Sequence, residues 1–157
     1  MTGDDSSGVR IFPPAIFLVA LCAGFLLQWI WPARIAPAAY APALQDLGAT
    51  LLIAWLALAI WALRTFHRAG TSPHPGHPTS ALTLGGPYRF TRNPMYLSLV
   101  LMSIGVAFLA NAVWPLLTVL PAIITVRRAV IHKEEQYLAR KFGESYEEYK
   151  GRVRRWL

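Results

Sequence analysis

The chain alternates long apolar runs with short polar punctuation. Residues 12–31 carry no charged side chain, and neither do residues 47–63 or 95–126. A helix needs about 20 apolar residues to cross a bilayer, so the first two runs read as single spans. The third would reach about 48 Å as one helix, against a hydrocarbon core of about 30 Å. Asn111 lies at its middle and Pro115 follows, and both favour a break. The pattern therefore predicts a tight hairpin with arms at 95–110 and 112–126, each arm slightly short, and four transmembrane helices in all. Arg64 is expected to stop the second span and open a loop over 64–86, rich in Pro, Gly, Ser and Thr. A cytoplasmic helical tail is expected after residue 126. The fold class is all-α, a polytopic membrane protein, with residues 1–157 forming one domain.

Composition agrees with that pattern. Of the 157 residues, 55% are hydrophobic and only 15% charged, where a soluble domain carries about a quarter. The first run is no signal peptide: Asp4 and Asp5 precede Arg10, and the run ends in Gln-Trp-Ile-Trp rather than in small residues. Trp29 and Trp31 suit the interfacial belt. Cys22, the single cysteine, can form no internal disulfide and reads as a lipid-facing or packed small residue.

Charge then sets orientation. The net charge is +7. Bases flank the apolar runs instead of lining a soluble face, which excludes nucleic acid as the partner and suits a membrane surface. All the Lys and Arg residues except Arg34 fall in the N-terminus, the 64–93 segment or the stretch after 126. Four spans place those three regions together, so both termini and the central loop should be cytoplasmic.

Two stretches carry candidate chemistry. In GPYRFTRNPMY (86–96), Asn93-Pro94 reads as N-cap and first helical residue, while Arg89, Arg92, Tyr88 and Tyr96 could serve as interfacial anchors. In the tail, Glu134 falls at helical spacing among Val130, Ile131, Tyr137 and Leu138, inside the apolar stripe, with Glu135 at its flank. A carboxylate there needs a cationic or hydrogen-bonding partner. That partner is either an internal arginine (Arg89, Arg92, Arg127 or Arg128) or a ligand. Gly143 is expected to end the tail helix, and Ser145 with Glu148 makes a capping-box pattern for a second one. Tyr146, Tyr149 and Val153 share one face of it. Residues 152–157, basic and aromatic, read as a foot returning to the membrane surface. His67, His74 and His77 make no metal site, since two of them sit among prolines with no carboxylate or thiol nearby. Gly85-Gly86 lacks the context of a phosphate loop.

Taken together, GPYRFTRNPMY before a hairpin and EEQYLARKFGESYEEYKGRV (134–153) after it resemble the isoprenylcysteine carboxyl methyltransferase family. The wider group includes phosphatidylethanolamine N-methyltransferases. The resemblance covers residues 79–157, about half the chain. It implies an integral membrane methyltransferase that uses S-adenosyl-L-methionine, bound at the cytosolic face without a Rossmann domain, and a lipophilic acceptor entering from the bilayer. The acceptor could be a prenylcysteine carboxylate, a phospholipid amine or a thiol. Residue by residue, Ser80, Ala81, Leu82 and Thr83 correspond to a backbone-contacting stretch and Tyr88 to a cofactor-contacting tyrosine. Asn93, Pro94, Met95 and Tyr96 match a His-Pro-x-Tyr segment at the cofactor, and Glu134 the cofactor-binding glutamate. Arg89, Arg92 and Glu135 are the candidate catalytic residues at the polar edge. Asn93 stands where the family has His, and Val130 where the prenylcysteine enzymes have an arginine. Two other readings compete: a nicotinamide-dependent membrane reductase of the sterol-reductase type, and a non-enzymatic membrane scaffold.

Overall fold

In the computed structural model, residues 8–9, 11–70 and 81–157 are described. All regular structure among them is helical. Helix α1 spans Pro13–Ile30, α2 Ala41–Ala69, α3 Pro94–Leu109 and α4 Val113–Val126; α5 (His132–Phe142) and α6 (Glu144–Arg152) follow. Two 3₁₀ turns, Ala38–Tyr40 and Gly86–Arg89, precede α2 and α3. Three stretches are long and apolar enough to cross a membrane: Pro13–Ile30, Ala38–Ala69 and Val113–Phe142. Helix α3, with 16 residues, extends about 24 Å and is shorter than a typical crossing. Leu18, Val19, Ile53, Leu56 and Leu120 are all at least half exposed, an outer surface suited to lipid rather than water. Cys22 is exposed among them.

The helices pack as two close pairs, α2 on α3 and α1 on α4. Small residues set both approaches. A Cβ on Gly48 would lie 2.8 Å from the Gly105 carbonyl oxygen and 2.9 Å from the Leu109 amide nitrogen. A Cβ on Gly24 would lie 2.5 Å from Pro115 Cα. Between the pairs, Phe17, Tyr96, Val119, Ala122, Val126, Val130 and Ile131 form a buried cluster, with Trp156 packed against it.

The expected hairpin is present. Asn111 takes a left-handed conformation (φ 48°) between α3 and α4, which Asn tolerates better than most residues. Its side chain is bound on both sides, with Oδ1 accepting from the Ala36 amide and Nδ2 donating to the Ala36 carbonyl, each at 2.9 Å. Trp114 Nε1 donates to the Trp31 carbonyl at 2.6 Å, and the Val113 amide to the Ala33 carbonyl at 3.1 Å. The loop between α1 and α2 is thereby fastened to the hairpin turn.

Four expectations are corrected. Arg64 does not stop α2, which continues through His67 and Arg68 to Gly70 in a left-handed cap (φ 63°). The end of an apolar run is not the end of a helix when good helix formers follow. Nor does the second hairpin arm end at residue 126. The helix runs on through a π turn at Arg127–Ile131 into α5, so hairpin arm and tail form one rod. Asn93 precedes α3, but its side chain makes no cap bond. The Ser145–Glu148 capping box is also absent: α6 starts at Glu144 directly after Gly143, with no side-chain cap. Gly143 itself, at φ 53°, does separate α5 from α6 as expected.

Candidate functional site

The two stretches singled out in the sequence meet where α3 begins and α4 passes into α5. Gly86 opens the 3₁₀ turn at φ 57°, packed so close to Thr65 of α2 that a side chain there would collide with it. Pro87 follows as the second residue of the turn and Pro94 is the first of α3. Both prolines are buried, and they fix the path between Tyr88 and Tyr96. On the other side, the π turn buries Val130 and Ile131 completely. Inserting one residue per turn rotates the residues that follow, and Glu134 comes to face α3.

There the Tyr96 hydroxyl lies 2.9 and 2.8 Å from the two Glu134 carboxylate oxygens, donating to that group. Glu134 has no cationic partner among the described residues. None of the internal arginines considered from the sequence reaches it. Burial lifts its carboxyl to about 7; the Tyr96 hydrogen bond opposes that shift and the neighbouring Glu135 adds to it. Tyr88 is buried next to this pair, and burial, then Tyr149 and Glu134, push its hydroxyl up. Its ring meets Phe66 of α2 edge-on at 5.2 Å, and its carbonyl accepts the Tyr149 hydroxyl at 2.7 Å.

Glu135, one residue on, is fully engaged. Arg155 donates to it twice, Nε to Oε1 at 3.0 Å and Nη2 to Oε2 at 2.6 Å, a fork geometry that favours Arg. Arg92 Nη2 approaches Oε1 at 3.3 Å. Two guanidinium groups thus share one carboxylate. The Arg92 side chain is only 10% exposed, yet its Nε and Nη1 are buried without a hydrogen-bond partner. Thr83 Oγ1 is buried and unpartnered as well. Native structures leave few such groups open.

Residues 152–157, expected as a foot at the membrane surface, are tied to the turn before α3. The Arg154 carbonyl accepts the Arg92 amide at 3.0 Å. The Arg155 carbonyl accepts Thr91 Oγ1 at 3.1 Å and Asn93 Nδ2 at 2.9 Å. The tail is therefore clasped to the turn before α3, and this is where the Asn93 amide is used. Arg155, Thr91 and Tyr149 were not among the sequence candidates. The signal for Arg155 was available in principle, because Glu135 required a cation and the tail supplies several.

The remaining candidates divide. Pro94 is buried and Met95 half-buried at the head of α3, and Ala81 and Leu82 are half-buried in the segment leading to the turn. Arg89 is exposed and unpaired among the described residues, apart from the Arg92–Glu135–Arg155 cluster. Ser80, His74 and His77 lie outside the described residues. His67 is exposed on α2.

A half-buried carboxylate lacking a cation among the described residues, next in the chain to the glutamate that Arg92 pairs with, and a guanidinium with two unpartnered nitrogens suit a ligand bearing both charges. S-adenosylmethionine has an ammonium, a sulfonium and a carboxylate, and the opposite charges of Glu134 and Arg92 are complementary to these groups. Tyr88, Thr83 and Asn93 Oδ1 are further polar groups of these segments.

Residues 44–145 match the family model described as phospholipid methyltransferase, more than half of the chain. An uncharacterized protein of Haemophilus influenzae is 43% identical over 65 residues, which cover 40% of this chain and 100% of that protein. No solved structure matches.

Proposed function

Because the chain belongs to the phospholipid methyltransferase family, a multi-pass membrane enzyme that uses S-adenosylmethionine, we propose that it methylates a lipid-borne amine or thiol at the cytosolic membrane face. Family membership decides against the reductase and scaffold readings. Within the family, the sequence resemblance points toward the isoprenylcysteine carboxyl methyltransferase branch. A prenylcysteine carboxylate fits this chain less well, because Val130 is wholly buried in the helix cluster and offers no cation at that position.

The observation that carries this reading is the division of labour between adjacent glutamates. Glu135 is neutralised by Arg155 and Arg92, whereas Glu134 is half-buried, held by Tyr96 and short of a cation among the described residues. S-adenosylmethionine supplies a methyl already activated on sulfur. The protein therefore needs chiefly to bind, align and exclude water. In this reading Glu134 holds the cationic part, Arg92 the carboxylate, and Tyr88 and Tyr96 line the wall. Ala81, Leu82, Thr83, Pro94 and Met95 shape the approach to it, with Ser80 assigned on resemblance alone. Arg89 and Arg92 stay candidates at the polar edge of the pocket on resemblance, and Glu135 organises Arg92 and Arg155.

We further read one domain, residues 1–157, with four crossings: α3 completes the count despite its length, by local thinning of the bilayer. Both termini and the 64–93 segment face the cytosol, which the distribution of Lys and Arg supports.

Calorimetry in detergent tests the assignment. Wild-type protein should bind S-adenosylmethionine with one site per chain, and Glu134→Ala should lose most of the affinity. Absence of heat at millimolar cofactor, or an unchanged Glu134→Ala isotherm, would contradict it.

A further inference from the structure

One face of α2 carries an amphiphilic cleft that the methyl-transfer site does not use. Ala57, Ile60, Trp61, Arg64, Thr65 and Arg68 line an open cleft of about 350 Å³. Their spacing of three and four residues puts them in one stripe along the helix. The stripe is graded: Ala57, Ile60 and Trp61 are apolar, and Arg64 and Arg68, one turn apart, form its cationic end. Thr65 spends its hydroxyl on the Trp61 carbonyl at 2.8 Å and offers little there.

The charge at this end is uncompensated. Neither Arg64 nor Arg68 makes an ion pair or side-chain hydrogen bond among the described residues, while Arg92, Arg152 and Arg155 all pair with glutamates. Trp61 is 48% exposed and Phe90 63%, with ring centroids 6.2 Å apart; aromatics of this kind gather at the headgroup level. A guanidinium pair at that level matches a phosphate by charge and by fork geometry.

We infer that this stripe binds an anionic phospholipid, with the phosphate between Arg64 and Arg68 and an acyl chain along Ala57, Ile60 and Trp61. The lipid is a resident ligand and need not be the methyl acceptor. Its site adjoins the catalytic region through two contacts. The turn carrying Tyr88 rests on Trp61 and Thr65 at Gly86, and Phe66 meets the Tyr88 ring. Occupancy therefore braces the wall of the proposed cofactor pocket from outside.

Native mass spectrometry of the full chain in detergent tests this, with phosphatidylglycerol, phosphatidylcholine of identical chains, and inorganic phosphate as probes. The wild type should retain one phosphatidylglycerol at least tenfold more tightly than phosphatidylcholine, and raising the salt should weaken it. Arg64→Gln/Arg68→Gln should hold the two lipids equally while still binding S-adenosylmethionine, and Arg64→Lys/Arg68→Lys should keep part of the preference. Equal retention of both lipids by the wild type would overturn the inference, as would a Gln variant that still prefers phosphatidylglycerol. Displacement of the lipid by inorganic phosphate would assign the arginines to the free anion and overturn it too. Cofactor binding is read in the same samples, so loss of the lipid preference is separable from failure of the methyltransferase assignment.

Discussion

The two ends of the helical assembly handle their polar groups in opposite ways. At the Asn111 end, a side-chain amide is satisfied on both sides by Ala36, Trp114 is tied to Trp31, and Gln28 Nε2 reaches the Ala33 carbonyl at 2.9 Å. Apart from Gln28 Oε1, no buried side-chain donor or acceptor is left open there among the described residues. At the Glu134 end, two Arg92 nitrogens and the Thr83 hydroxyl are left open in buried positions, and a desolvated carboxylate lacks a cation. Leaving such groups open costs stability. A network that closes on itself builds structure, and one that stays open is shaped for something else to complete it.

Substitution can sharpen that contrast. The largest expected effect on function is Glu134→Gln: cofactor affinity should fall by at least about thirtyfold, the cost of removing one charge of a buried pair. Thermal unfolding of the unliganded protein should be unchanged or slightly raised, because a desolvated carboxyl has been removed. A large loss of stability would mean that Glu134 is structural, and the contrast would fail. Glu135→Gln should behave in the opposite way. It leaves Arg92 and Arg155 without their shared carboxylate, and urea or thermal unfolding should show a loss of about 2–3 kcal/mol, below the figure for a fully buried pair because Arg155 is partly exposed.

At the other end, Asn111→Ala should cost about 2 kcal/mol of stability through two lost hydrogen bonds and a left-handed backbone that Ala resists. Affinity for S-adenosylmethionine should not move. A parallel loss of cofactor binding would show that the two ends are coupled.

The smallest effect concerns pH. The Glu134 carboxyl is lifted to about 7 from the usual carboxylate range. Its contribution to stability is therefore complete below the unfolded value and is lost as pH rises through about 7. The unliganded protein should accordingly become less stable between pH 5 and 8, and Glu134→Gln should lack that component. A cationic ligand reverses the preference, so wild-type affinity should strengthen about tenfold from pH 6 to pH 8, with proton release detectable by calorimetry in buffers of different ionisation enthalpy. A flat profile for both quantities would place Glu134 in a more hydrated setting.

Much of this architecture is readable one-dimensionally because it depends on periodicity and on the bilayer. The hairpin break at Asn111 follows from a run too long for one crossing. The placement of Glu134 within an apolar stripe follows from helical spacing, and the structure buries Val130, Ile131 and Tyr137 around it. Helix ends were less legible. Charge ends an apolar run, but helices end where hydrogen bonding and a left-handed residue allow, so α2 ran past Arg64 and the rod begun by α4 continued past Val126.

The sequence by itself determined which segments are apolar, where the hairpin turns and which two motifs carry polar groups next to apolar helices, because these follow from local spacing. Only the tertiary structure decided how the polar groups pair. The π turn aims Glu134 at Tyr96, and the tail returns to give Glu135 to Arg155 and Asn93 to the Arg155 carbonyl. Those partners lie 20 to 62 residues apart. No local pattern relates residues at such separations; the packing of the helices brings them together.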